Sequence, residues 1–326
     1  MEMKTKILGD RRKNRLEELA KQANEDPMIN EIIEGKTITR PVQSQNFQLE
    51  YLLQLNHDNP VTRVAFSDKD YVLCTYSHGE DCEQGKLTAF YFGDRISHNF
   101  NTHSIHLKGV KDVCNMPSPK QNVGGQVYMA ILDDKGIDIL RLKNGLDLDK
   151  VMLDFDISDF NNLAFSRDGT KAALGSDKGL IKILSSFYKY CPNELFSFQE
   201  RNVGKITSLS FGKYDSFLAV ANNAHATFLG IDYKHERLDD MHIRVKNIAT
   251  INIAFSKDGK LVATSDEFGN TLRLWRFSKD ADNTLMSGAS TKLPGSIRGI
   301  DFSYDDKYMA VACEDCKAYI YEINRK

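Results

Sequence analysis

One short pattern returns four times along this chain at nearly constant distance. Asn162-Leu-Ala-Phe165-Ser-Arg-Asp-Gly169 comes back as Asn252-Ile-Ala-Phe255-Ser-Lys-Asp-Gly259, with looser copies at Ser208-Leu-Ser-Phe211 and Gly299-Ile-Asp-Phe302-Ser-Tyr-Asp-Asp306. The four Phe residues lie 46, 44 and 47 positions apart. A unit of this length cannot bury its apolar face alone and has to stack on its neighbours. Its content is strand-like, so a period of about 40–45 residues predicts a β-propeller of four-stranded blades. Such rings carry many activities. The repeat therefore speaks for architecture, and function has to be sought in what interrupts it.

At 326 residues the chain is long enough for a large core, and closed all-β architectures of this size form one domain. The formal net charge of -2 offers no global basic field, so direct nucleic-acid contact is not expected. No run of 18 apolar residues predicts a transmembrane helix. The N-terminus has no apolar core of a secretory signal, and Glu2, Asp10, Glu17 and Glu18 argue against a transit peptide. Cys74, Cys82, Cys114, Cys191, Cys313 and Cys316 are too sparse for a disulfide scaffold. They read as reduced thiols, with the cytoplasm the expected compartment and the nucleus the alternative.

Residues 1–46 differ from the rest and are expected to form a helical and extended arm. Ile7 to Gln22 reads as a charged helix with a thin apolar stripe at Leu16, Leu19, Ala20 and Ala23, ended by Pro27. Residues 47–326 form the propeller. Val61–Ser67 alternates as a half-buried strand, Tyr71–Tyr76 is a second strand, and Lys86–Phe92 is a third. The order recurs over Val110–Leu142, Asn161–Ser185, Ile206–Tyr233, Thr250–Phe277 and Ile297–Ile323. Asp, Asn and Gly cluster at the turns, where positive φ is needed. Polar stretches such as Val151–Phe155 and Met241–Val245 are read as outer fourth strands. The last unit lacks such a stretch, and Leu49–Leu55 is the natural substitute from the other end of the chain, closing the ring and covering a sheet edge.

The unit Ile253-Ala-Phe255-Ser-Lys-Asp-Gly259 through Leu272-Arg-Leu-Trp275 resembles a WD40 repeat, and the resemblance extends over roughly residues 47–323. It implies an all-β fold: a single propeller of six or seven four-stranded blades, here with a short helical N-terminal arm. The chain departs from the family pattern. The Trp-Asp pair becomes Trp275-Arg276, Leu184-Ser185 or Tyr321-Glu322, and the Gly-His element becomes Asn56-His57. The family's His–Ser/Thr–Asp–Trp hydrogen-bond network is expected to be largely eroded.

The chemistry-bearing motifs favour plain structural readings. Cys313-Glu-Asp-Cys316 supplies two of the four ligands a structural zinc needs, and both thiols fall at repeat positions. His98, His103 and His106 show no ordered ligand spacing and are read as loop and outer-strand residues. No nucleophile elbow, P-loop or dinucleotide fingerprint occurs. No catalytic residue, cofactor, metal or small-molecule substrate is therefore expected, and the chain reads as a non-enzyme. Residues 1–21 hold seven basic and four acidic side chains. The candidate partner-binding residues are Arg11, Arg12, Lys13, Arg15, Leu16 and Leu19, together with loop insertions at Ser77–Gly85, Met116–Gly125 and Ser278–Ser290. The expected role is a protein-interaction scaffold within a multi-subunit assembly, since a propeller presents short, variable loops on a rigid ring. The alternative is a peripheral membrane propeller that binds phosphoinositide in vesicle traffic or autophagy. Against it, Ser278–Gly288 lacks the paired Arg side chains that would bind headgroup phosphates.

Overall fold

A computed structural model describes residues 47–325, apart from 68–70, 80–83, 118–127, 143–146, 152–155, 186–192, 200–203, 213–214, 223–225, 235–236, 245–249, 267–268 and 279–283. The first strand, β1 (Phe47–Asn56), belongs to the last blade. Blade one is β2 (Val61–Phe66), β3 (Val72–His78), β4 (Gly85–Tyr91) and β5 (Asn101–Leu107). Blade two is β6 (Asp112–Met116), β7 (Tyr128–Leu132), β8 (Ile137–Arg141) and β9 (Asp147–Val151). Blade three is β10 (Phe160–Phe165), β11 (Lys171–Ser176), β12 (Leu180–Ser185) and β13 (Asn193–Gln199). Blade four is β14 (Ile206–Phe211), β15 (Phe217–Asn222), β16 (Ala226–Asp232) and β17 (Arg237–Arg244). Blade five is β18 (Ile253–Phe255), β19 (Leu261–Ser265), β20 (Thr271–Ser278) and β21 (Thr284–Lys292). Blade six is β22 (Ile297–Phe302), β23 (Tyr308–Cys313) and β24 (Lys317–Arg325), with β1 outermost.

Each blade is one antiparallel four-stranded sheet, and the six innermost strands touch in sequence from β2 round to β22, which lies back against β2. The ring is thus six-bladed. β1 pairs β24 from Phe47↔Arg325 to Asn56↔Lys317, with an irregularity between Tyr51 and Leu53. The His57 N–H then donates to the Cys316 carbonyl at 2.9 Å, carrying the chain into blade one. Leu53 and Leu55 are buried in the wedge between blades six and one.

The core is a set of apolar wedges, one at each blade junction among the described residues. Phe66, Leu73, Tyr308 and Ile320 fill the wedge between blades six and one, and Phe217, Phe228, Phe255 and Phe277 pack as an aromatic cluster between blades four and five. The repeated Phe pairs with the second residue of the next strand in every blade that has it: Phe66↔Leu73, Phe165↔Ala172, Phe211↔Leu218, Phe255↔Val262 and Phe302↔Met309. In blade two the same place is held by Asn115, paired with Met129. The sequence repeat is therefore a register mark, and blade two is the copy in which it was lost.

Three sequence readings are corrected. The outer strand expected at Val151–Phe155 lies at Asp147–Val151, and that expected at Met241–Val245 lies at Arg237–Arg244. Ser278–Ser290, read as a loop insertion, is mostly strand β21. All three errors concern outermost strands. Such a strand has one sheet neighbour and little core to face, so hydrophobic alternation fades and backbone pairing alone decides its place.

Candidate functional site

The innermost strand of each blade is a sheet edge with unpaired backbone groups, a costly arrangement in a closed interior. Side chains of the neighbouring blade meet those groups. Three residues before the repeated Phe stand Arg63, Asp112, Asn162, Ser208, Asn252 and Gly299, all facing a central cavity of about 420 Å³. Asp112 accepts from Arg63 Nε of blade one at 2.9 Å and from the Leu163 N–H of blade three at 2.8 Å. Asn162 Nδ2 donates to the Ile206 carbonyl at 2.7 Å, and Asn252 Nδ2 to the Ile297 carbonyl at 2.9 Å. The Ser208 hydroxyl accepts from the Ile253 N–H at 3.2 Å. At Gly299 an added Cβ would stand 3.4 Å from the Val64 nitrogen, so the last blade meets the first by backbone proximity.

Two positions further on, the device recurs. Ser210 Oγ accepts from the Phe255 N–H at 3.0 Å, and Asp301 Oδ2 accepts from the Phe66 N–H at 2.8 Å. Burial pushes the Asp301 carboxyl above its ordinary range, against the opposing pull of Lys257, whose Nζ lies 4.0 Å away. Asp112 is likewise raised by burial, with the Arg63 guanidinium opposing. Burial, with Asp112 and Asp301 nearby, pushes the Cys114 thiol well up and keeps it protonated.

The turns from first to second strand form one end of the ring. The Ser of Phe-Ser-x-Asp-Gly closes each: Ser166, Ser256 and Ser303 accept from the N–H five residues on and donate to an Asp two residues on. Blade four has Gly212 instead, where a Cβ would meet the Phe217 ring at 1.8 Å. Gly169 and Gly259 adopt φ of 67° and 68°, and their counterparts Asp215 and Asp306 take 54° and 59°. Those two carboxylates reach back to the preceding blade. Asp215 accepts from the Arg167 N–H at 2.8 Å, and Asp306 from the Lys257 and Asp258 N–H groups at 2.5 and 2.8 Å.

The opposite end carries the hairpins from second to third strand and the links between blades. It is a field of paired charge, most of it exposed. Lys178 meets Asp159 at 2.7 Å, Lys205 meets Asp177 at 3.2 Å, Lys111 meets Asp134 at 3.0 Å, and Arg298 meets Glu314. Lys178 and Asp159 are 73% and 60% exposed, so these pairs add little to stability. They supply both signs of charge on one end of the ring.

Arg11, Arg12, Lys13, Arg15, Leu16 and Leu19, the candidate partner contacts of the arm, lie outside the described residues. So do most of the Met116–Gly125 insertion and the middle of Ser77–Gly85, whose ends Ser77, His78 and Gly85 belong to β3 and β4. Cys313 is buried in the core between blades five and six, and Cys316 sits in the hairpin turn at φ 65°. His103 and His106 lie on the outer strand β5. No group of three or more His, Cys, Asp and Glu is placed to hold a metal among the described residues. The carboxylates at 112, 215, 301 and 306 escaped sequence reasoning, although the departure of Asp215 and Asp306 from the repeat's Gly was a visible signal.

The model of the WD domain, G-beta repeat, matches residues 287–322, which span the end of β21, all of β22 and β23 and most of β24. One segment of this six-bladed β-propeller thus matches the WD repeat. Among solved structures it is similar to the β-propeller domain of Cps50 (Swd1) from Myceliophteria thermophila, at 14% identity and a TM-score of 0.51, over 81% of this chain and 84% of that one. No curated protein matches the sequence. Of the His–Ser/Thr–Asp–Trp network that the resemblance implies, two fragments are present among the described residues. His57 Nε2 stands 3.3 Å from Thr75 Oγ1 in blade one, and Trp275 Nε1 donates to Thr264 Oγ1 at 2.8 Å in blade five.

Proposed function

We propose that this chain is a WD40-repeat propeller and a non-enzymatic scaffold that holds other proteins in a multi-subunit intracellular assembly. The observation that carries this reading is the hairpin end of the ring. It presents exposed Lys178, Asp159, Lys205, Asp177, Arg298 and Glu314 on blades stitched to one another from within. A partner surface of mixed charge can exchange these weak internal pairs for pairs across the interface, gaining orientation at little conformational cost. The N-terminal arm, with Arg11, Arg12, Lys13, Arg15, Leu16 and Leu19, is a second contact in this reading. Its cluster of basic charge beside a short apolar stripe suits an acidic protein surface.

Affinity purification of the native chain with mass spectrometry tests it. A defined set of co-purifying proteins is expected, reduced by joint reversal of Lys178, Lys205 and Arg298 to Glu and by removal of residues 1–45. Recovery of the chain alone, or an unchanged set in both variants, overturns it. Flotation with anionic liposomes separates the scaffold from a peripheral membrane role: the scaffold stays with the unbound fraction.

A further inference from the structure

The six outermost strands differ in how their free edges are protected. Proteins blunt such edges with charge, proline, bulges or short length. β1, β13, β17 and β21 each show a register irregularity against their neighbour. β9 is regular, but it has five residues and carries Asp147, Asp149 and Lys150. β5 uses none of these devices. Its seven residues, Asn101-Thr-His-Ser-Ile-His-Leu107, include no Asp, Glu, Lys, Arg or Pro. It pairs β4 without a break from Gly85↔Leu107 to Tyr91↔Asn101, and residues 101–104 are exposed. Among the described residues no strand pairs with its outer edge.

We propose that β5 is a self-association edge, where two copies of this chain join antiparallel about a two-fold axis at Ser104. A row of free N–H and C=O groups recognises extended backbone, and a strand identical to itself can meet it isologously. An axis at the middle residue uses the whole edge. His103 then faces Ile105 of the second copy and Thr102 faces His106, so no like charges oppose one another. Phe100 is one of few large apolar residues left exposed, at 38%. In this register it falls opposite the exposed Lys108 of the second copy, an aromatic ring facing an ammonium. The other outer strands would bring charges or a kink to the same axis. Seven residues of edge bury less than a standard interface of about 1,600 Å², so the dimer is weak and dissociates on dilution.

The proposal is independent of the scaffold reading, because Lys178, Lys205 and Arg298, whose reversal tests that reading, all lie outside blade one. Sedimentation velocity of the full chain over a concentration series tests it. The mass should rise from 37.0 kDa toward twice that value with concentration. Ser104→Lys and Ser104→Glu each place like charges at the axis and should each remain monomeric, with thermal unfolding like the parent chain. An equimolar mixture of the two should recover the dimer. A parent chain that stays monomeric to its solubility limit overturns the proposal and leaves the edge to an extended segment of another protein. Dimers that persist in both variants, or a mixture that stays monomeric, overturn it as well.

Discussion

At the scale of single residues, this ring is held by side chains that complete the backbone of the next blade. Asp306 shows the logic. It stands where the repeat has Gly259, takes the same left-handed backbone, and uses its carboxylate to bind two N–H groups of blade five. Asp306→Gly keeps the turn free of strain and removes both bonds. Urea unfolding should show a loss of about 1–3 kcal/mol from two buried N–H groups left without their acceptor, smaller at neutral pH than near pH 4 because burial raises the Asp306 carboxyl. His57 makes a different contribution. Burial, with Lys86 nearby, holds its imidazole down at about 4 against a small opposing effect of Asp58. Above the ordinary histidine value of 6.5 the ring is neutral in both folded and unfolded chains. As the pH falls from 6.5 toward 4 the unfolded chain takes up the proton first, so stability drains from the fold. His57→Gln should flatten the unfolding midpoint over that interval, and equal slopes in parent and variant would show that the imidazole is not responsible.

Elements add what residues cannot. The inner and middle strands were legible in the sequence because each is packed on both sides, so apolar residues and turn residues repeat together at Phe165, Phe255 and Phe302. The outer strands were poorly legible because only pairing places them, and β9, β17 and β21 shifted for that reason. β1 is the outer strand with the most to lose, since it brings Leu53 and Leu55 into the core at 1% and 2% exposure. A chain starting at Phe47 keeps this strand, and one starting at His57 does not. The shorter chain should lose about 4 kcal/mol or more relative to the longer one from the two leucines alone. It should also aggregate through the bared edge of β24. Equal unfolding midpoints for the two chains would mean that closure by β1 is dispensable. None of the candidate contacts in the arm could be weighed in this way, because Arg11 to Leu19 lie outside the described residues.

For the whole molecule, the ring confines carboxylates that an open sheet would leave in water. Asp112, Asp215, Asp301 and Asp306 are all raised chiefly by burial. A raised folded value means that stability is fully present below the ordinary carboxylate value and is lost as the pH rises through the folded one. Asp301→Asn removes one such group. The stability of the parent chain relative to this variant should therefore fall as the pH is raised from 4 toward 8, read by urea unfolding at each pH. A constant difference would show that Asp301 ionises as freely in the fold as in the unfolded chain. What the sequence by itself determined was the kind of ring, because a repeated Phe-Ser-x-Asp-Gly encodes local register and a local turn, and such information is carried within one blade. Blade number, the place of the outer strands and the stitching of Asp112, Asp301 and Asp306 were decided by the tertiary structure alone. Each depends on how one blade's edge meets the next across 44 or more residues of chain, and no local pattern records that encounter.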